Sequence, residues 1–156
     1  MKIEKFILIL SSILLLGCSD NLSEEYSNIE TEIIELGTEE EKKRYLENIL
    51  KDDQKVRGSK GQDLMLQYGK DSKEHMDYVK AQWKMDEINL WKVEKYLEIH
   101  GYPSKALGDN ATTCPWMVIH HAQGYDTRER NFETVYKAYL KGDIDDGAIS
   151  FYLGRM

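Results

Sequence analysis

Thirty residues from Ser72 to Gly101, "SKEHMDYVKAQWKMDEINLWKVEKYLEIHG", contain no proline and no internal glycine. Met76, Val79, Trp83, Asp86, Leu90, Val93 and Leu97 recur in them at intervals of three or four, the spacing that puts side chains on one face of an α-helix. The segment is expected as one long helix, or two nearly collinear ones, capped at Asp71 or Ser72 and closed by Gly101. A helix of that length needs partners for its apolar stripe, and the rest of the chain offers them in the same form.

The stretch "GTEEEKKRYLENILKDDQKVRG" opens with Thr38 and Glu41, a capping box in which the threonine oxygen accepts an early amide and the glutamate reaches back. Leu46, Leu50, Asp53 and Arg57 follow as one stripe, and Gly58 stops it. Gly58, Gly61 and Gly69 mark a loop. Pro103, Gly108, Asp109 and Asn110 make "YPSKALGDN" a turn. A third helix is expected from about Ala111 to Ala122. Pro115 would sit in its first turn, where a missing N–H costs nothing, and Gly124 would end it. A fourth, capped by Thr127, carries Phe132, Val135, Tyr136, Tyr139 and Leu140 and stops at Gly142, and "DIDDGAISFYLGRM" begins a fifth. No run alternates in the manner of a strand. The expected class is all-α, a compact bundle of about four to five helices. Ile149, Phe151, Tyr152, Leu153 and Met156 close the chain without a polar tail, so the domain is expected to be incomplete at its C-terminus.

The other end fixes the compartment. Lys2 and Lys5 precede an eleven-residue run, Phe6 to Leu16, broken only by Ser11 and Ser12. A bilayer core of roughly 30 Å needs about 20 apolar residues, so this run reads as a signal peptide instead of a span. "LLGC", Leu15 to Cys18, has the form of a bacterial lipobox, with small Gly17 before the cysteine and polar Ser19, Asp20 and Asn21 after it. Residues 1–17 are therefore expected as a lipoprotein signal peptide, with Cys18 carrying the lipid. Residues 18–37 are expected as a tether, because Ser19 to Glu41 hold nine acidic residues and no lysine or arginine. Ile29, Ile33, Ile34 and Leu36 offer a means of docking part of it. Residues 38–156 form the domain. The partner so implied is a membrane, reached through the lipid, and the location is the cell envelope, at the outer membrane where the bacterium has one.

Lipidation of Cys18 leaves Cys114 as the only thiol, which cannot form an internal disulfide. Its place in an apolar run suits a small buried hydrophobe. The formal charge of −7 becomes −8 once Lys2, Glu4 and Lys5, which sum to +1, leave with the signal. Such a field repels nucleic acid, and no basic tract counters it.

Polar residues on apolar stripes are the informative ones. Asp53 and Arg57 extend the line of Leu46 and Leu50, and Asp86 interrupts the long stripe with Asn89 one turn on. A buried carboxylate is costly unless paired and hydrogen-bonded. The expected solution sets Arg57 against Asp53 or Asp86, with Gln54 and Asn89 donating amide N–H groups. Such a network is either structural or the lining of a ligand pocket. The pair His120–His121 ends the third helix. Neighbours on a helix point about 100° apart, and no His-Glu-x-x-His spacing is present, so no metal and no cofactor are expected. His121 continues Cys114, Met117 and Val118 inward and is expected to face Asp53, Arg57 and Asp86, whereas His120 follows Trp116 toward a flank, either at the surface or packed behind the site residues.

"DDQKVR" (Asp52 to Arg57), "DEIN" (Asp86 to Asn89), "HGYPSKALG" (His100 to Gly108) and "VIHHA" (Val118 to Ala122) occur in that order. The order resembles the family named domain of unknown function 6624, exported and often lipid-anchored bacterial proteins. That family's pattern is Asp-Gln-x-x-Arg, an Asp with an Asn three residues on, a Gly-Trp/Tyr-Pro turn, a His-Ala at a helix end and a late Arg motif. The resemblance covers about Tyr45 to Met156. It places Asp53, Gln54, Arg57, Asp86, Asn89, Gly101, Pro103 and His121 on family positions, and it implies no activity. Family members continue past the position of Arg155, a second reason to expect an incomplete chain.

Three functional readings follow. The leading one is an envelope lipoprotein that binds a ligand or an envelope protein through a pocket of Asp53, Gln54, Arg57, Asp86, Asn89 and His121. The second is a hydrolase-like enzyme with His121 as general base and a carboxylate as its orienter, although no Gly-x-Ser-x-Gly or Cys-His signal accompanies it. The third is a protein-interaction module anchored by Trp83, Trp91, Tyr96 and Trp116. All three share the anchor, which is directly testable. Metabolic labelling with a fatty-acid analogue is expected to mark the wild type and to miss Cys18→Ser, and equal labelling of both would refute lipidation.

Overall fold

Helices occupy most of residues 17–156, which the computed structural model describes, with side chains from Glu24 onward. The expected signal peptide and the side chain of Cys18 lie outside what is described. Seven α-helices and one 3-10 turn follow in order: α1 (Gly17–Ile34), α2 (Glu39–Lys55), α3 (Lys60–Tyr68), α4 (Lys73–His100), the turn (Lys105–Leu107), α5 (Asp109–His121), α6 (Tyr125–Leu140) and α7 (Asp146–Leu153). No strand forms among the described residues, so the all-α class holds. No helix of the described residues is long and apolar enough to cross a membrane.

The caps legible in the sequence are in place. Glu41 N–H donates to Thr38 Oγ1 at 3.2 Å while Thr38 N–H donates to Glu41 Oε2 at 2.9 Å, closing the capping box at the start of α2. Ser72 accepts from the His75 amide and opens α4, which runs unbroken for 28 residues to Gly101. Asp145 accepts from the Ala148 amide and opens α7.

Helix α5 is the hub, packing against α2, α4, α6 and α7. Ala111, Thr112, Cys114, Pro115, Trp116, Val118, Ile119 and His120 are all buried on it, so it is enclosed nearly all round instead of along one stripe. It starts two residues earlier than expected, and Pro115 therefore lies in its second turn, not its first. Without an N–H, Pro115 cannot serve the Ala111 carbonyl. Nearby, the Tyr102 hydroxyl donates to the Thr112 carbonyl at 2.7 Å, tying the turn before α5 to this weakened stretch. Cys114 is fully buried, and burial pushes its thiol well above the usual range. It packs as a hydrophobe.

Two helices lie outside the expected set. The glycine-marked loop after Arg57 contains α3, because Gln62, Leu64, Met65 and Leu66 between the glycines are good helix formers. Gly61 lies inside it where a Cβ would come within 2.8 Å of the Tyr78 ring. The acidic stretch expected as a tether is helix α1, docked along α4 at its C-terminal end. Ile33 is fully buried, Ile29 and Leu36 pack on the core, and the His100 ring donates from Nε2 to the Ile33 carbonyl at 2.7 Å. Lys95 pairs with Glu30 at 3.2 Å, and Tyr26 lies over Trp91 with ring centres 4.8 Å apart. Ile34 does not dock and is 60% exposed. Helix α6 begins at Tyr125 after Gly124, so Thr127 is a first-turn residue and not the cap.

The neighbours Ile33 and Ile34 separate docking from mere helicity. Ile33→Ala is expected to lower the unfolding free energy by about 3 kcal/mol through the cavity it leaves, and Ile34→Ala by less than about 0.5 kcal/mol. Urea denaturation of the two variants checks this, and equal small effects would mean that α1 is undocked in solution.

Candidate functional site

Three helices bring the polar residues of the apolar stripes to one place. Asp53 comes from the last turn of α2, Asp86 and Asn89 from the middle of α4, and His121 from the end of α5. Arg57 follows α2 by two residues. Asp53 and Asn89 are fully buried and Asp86 is 5% exposed. The side chains of Arg57 and His121 keep 15% and 17% exposure, and Gln54 lies at the surface. The cluster is therefore sealed at its Asp53–Asn89 end and open at its Arg57–His121 end.

One guanidinium serves both carboxylates. Arg57 Nη2 donates to Asp86 Oδ1 at 2.6 Å. Its Nη1 donates to the Asp53 carbonyl at 2.6 Å and lies 3.1 Å from Asp53 Oδ1 as an ion pair without a hydrogen bond. Asp53 Oδ2 accepts twice, from Gln54 Nε2 at 2.8 Å and from His121 Nδ1 at 2.9 Å. A neutral imidazole that donates from Nδ1 carries its lone pair on Nε2. Burial pushes the Asp86 carboxyl above its ordinary range, and the Arg57 hydrogen bond partly offsets that.

Asp53, Arg57, Asp86 and His121 thus meet as expected, and Gln54 donates as expected. Asn89 does not. It is buried beside the network, but neither side-chain atom has a hydrogen-bond partner among the described residues. No group of three His, Cys, Asp or Glu side chains among the described residues is arranged to hold a metal ion.

His121 faces the charges and His120 does not; of its two expected places His120 takes the one behind the site, buried at 4% exposure with its ring centre 5.5 Å from that of His121. Its ring stacks on Phe151 with centres 4.4 Å apart and meets Trp116 edge-on. The reason is the enclosure of α5, where a flank away from one neighbour faces another. Burial first, and then the Arg155 charge, lower the His120 pKa to about 4, so the ring is neutral at physiological pH.

Two arginines absent from the expected site complete the end of α5. Arg155 Nη1 donates to the His120 carbonyl at 2.6 Å, and Arg128 Nη1 donates to the Ala122 carbonyl at 2.9 Å. A helix leaves its last carbonyls without partners, and guanidinium donors satisfy them with favourable charge. Arg128 carried no visible signal, since it reads as one charge among many at the start of α6.

Beside the network lies a cleft of about 290 Å³ lined by Trp83, Asp86, Glu87, Leu90, Ala122 and Gln123. Asp86 belongs to both cleft and network. Trp83 stands at the wall, 49% exposed, where the sequence suggested a core residue or a protein anchor. Of the other proposed anchors, Tyr96 and Trp116 are buried in the core, and Trp91 is covered by Tyr26. Glu87, one turn after Trp83, was missed because it falls off the apolar stripe.

Arg57→Met leaves two buried carboxylates without their counter-charge and is expected to cost roughly 3 kcal/mol in thermal or chemical unfolding. A loss below about 0.5 kcal/mol would show that water already screens the cluster. Comparison of the chain with family models, curated proteins and solved structures gives no match to any of them, so the geometry alone supports a functional reading.

Proposed function

We propose that the chain is a bacterial envelope lipoprotein of the domain of unknown function 6624 family, anchored through Cys18, whose helical domain binds a small ligand. The observation that carries the binding reading is the cleft that opens onto Asp86, with the Arg57–Asp53–His121 network behind it. Small-molecule sites are concave and mostly apolar, with a few convergent polar groups, and a structural network alone leaves a half-exposed tryptophan at a cleft wall without a purpose. Arg57 and Asp53 hold Asp86 and His121 in fixed orientations, so a ligand meets a preorganised polar end and an apolar wall.

A second reading rests on one contact. Asp53 Oδ2 at 2.9 Å from His121 Nδ1 is the arrangement that orients a general base, with Nε2 turned to the substrate proton. In this reading the protein is a hydrolase-like enzyme, and the same cleft holds its substrate.

A thermal-shift screen of small polar organic compounds separates the readings. Compounds that enter the cleft are expected to stabilise the wild type, by about 2.7 kcal/mol at a hundred times their Kd, and to lose that effect in Trp83→Ala. A screen in which no compound distinguishes the two proteins would overturn the binding reading. The enzyme reading adds that a hit is consumed, with His121→Gln slowing its turnover by at least about a hundredfold. If every hit survives prolonged incubation unchanged, the second reading falls.

A further inference from the structure

We infer that the ligand of the cleft is an organic cation with an apolar body, held between the Trp83 ring and the carboxylates of Asp86 and Glu87. The inference rests on the cleft being the binding site and adds the chemical class of what it binds.

The first ground is an acceptor left free at the cleft. Asp53 is served by Arg57, Gln54 and His121, whereas Asp86 is hydrogen-bonded by Arg57 alone. Asp86 Oδ1 takes the hydrogen bond from Arg57, and Oδ2 receives none from any described residue. Asp86 as a residue is 95% buried, but this free oxygen still reaches the cleft, where it can accept from a ligand in place of water. Burial also keeps its carboxyl above the ordinary range, which is the state that a bound positive charge would relieve. Arg155 directs its Nη1 to the His120 carbonyl at 2.6 Å and makes no hydrogen bond to Asp86.

The second ground is the wall. Trp83 precedes Glu87 by four residues on α4, so ring and carboxylate stand on one face a turn apart. An indole face attracts a cation through its quadrupole, more strongly where water is excluded. Leu90 and Ala122 supply apolar surface. An anion would meet two carboxylates here, and a neutral apolar molecule would leave both unserved. At about 290 Å³, the space is at the lower end of ligand pockets, roughly 300–1,000 Å³, which suits a small amine better than a folded partner.

Three probes of one shape and different charge test the inference: benzylammonium, benzyl alcohol and benzoate. Each is titrated into the full chain in nonionic detergent, following the indole N–H resonance of Trp83, assigned by its loss in Trp83→Phe. Benzylammonium is expected to bind at least about tenfold more tightly than either of the others, and Glu87→Gln, at an exposed position, to weaken it several-fold while leaving the circular dichroism unchanged. Equal or tighter binding of benzyl alcohol or benzoate would overturn the cation inference and leave the cleft standing as a binding site. If all three leave the Trp83 resonance unmoved at about 10 mM, corresponding to binding weaker than about −3 kcal/mol, both the inference and the cleft reading fail.

Discussion

A carboxylate with no exposure to water governs the arrangement of this bundle. An isolated charge in that position would cost several kcal/mol, so Asp53 can be buried on α2 only if other elements bring donors to it. Gln54 comes from its own helix, Arg57 from the turn beyond, and His121 from the end of α5. Arg57 in turn requires Asp86 on α4 to occupy its second nitrogen. One buried charge thereby fixes the relative register of three helices, a specification that apolar packing alone gives less sharply. It also leaves Asp86, hydrogen-bonded by Arg57 alone, at the place where the cleft opens.

Enclosure of α5 is the second organising fact. A helix with neighbours on four sides must satisfy its ends without water, and here the side chains of Arg128 on α6 and of Arg155, just after α7, do so. The same hydrogen bonds bring Tyr152 into play, whose hydroxyl donates to the Arg128 carbonyl at 2.7 Å. The end of α5 that presents His121 is therefore held by the last described helix and by residues beyond it. The site is local, but its support comes from the whole second half of the chain.

Much of this was visible in the residues. The long α4, the Thr38 capping box, the existence of helices after Thr38, near 111–122, before Gly142 and in the last fourteen residues, and the meeting of Asp53, Arg57, Asp86 and His121 follow from spacing and from the cost of burying charge. What escaped notice has physical causes. Helix α3 is short and glycine-flanked, so local signals favoured a loop. Helix α1 is acidic and gives the core essentially one side chain, Ile33, too little for periodicity to register. One-face reasoning left His120 open between the surface and a place behind the site, because it does not see that α5 is enclosed on every side. Asn89 was on the right face, but no spacing rule reveals whether a buried amide finds a partner. The cleft was invisible because its lining joins side chains from α4 to residues more than thirty positions later.

Helix α3 contributes no buried residue and packs only on α4, through contacts such as Gly61 against Tyr78. Segments with so little buried surface open locally at free energies far below that of global unfolding. The Tyr78 hydroxyl donates to the Val56 carbonyl at 2.7 Å, so the cooperative part of the molecule extends to the last turn of α2 and little further. The charge that neutralises two buried carboxylates thus sits three residues before a helix that little buried surface holds in place.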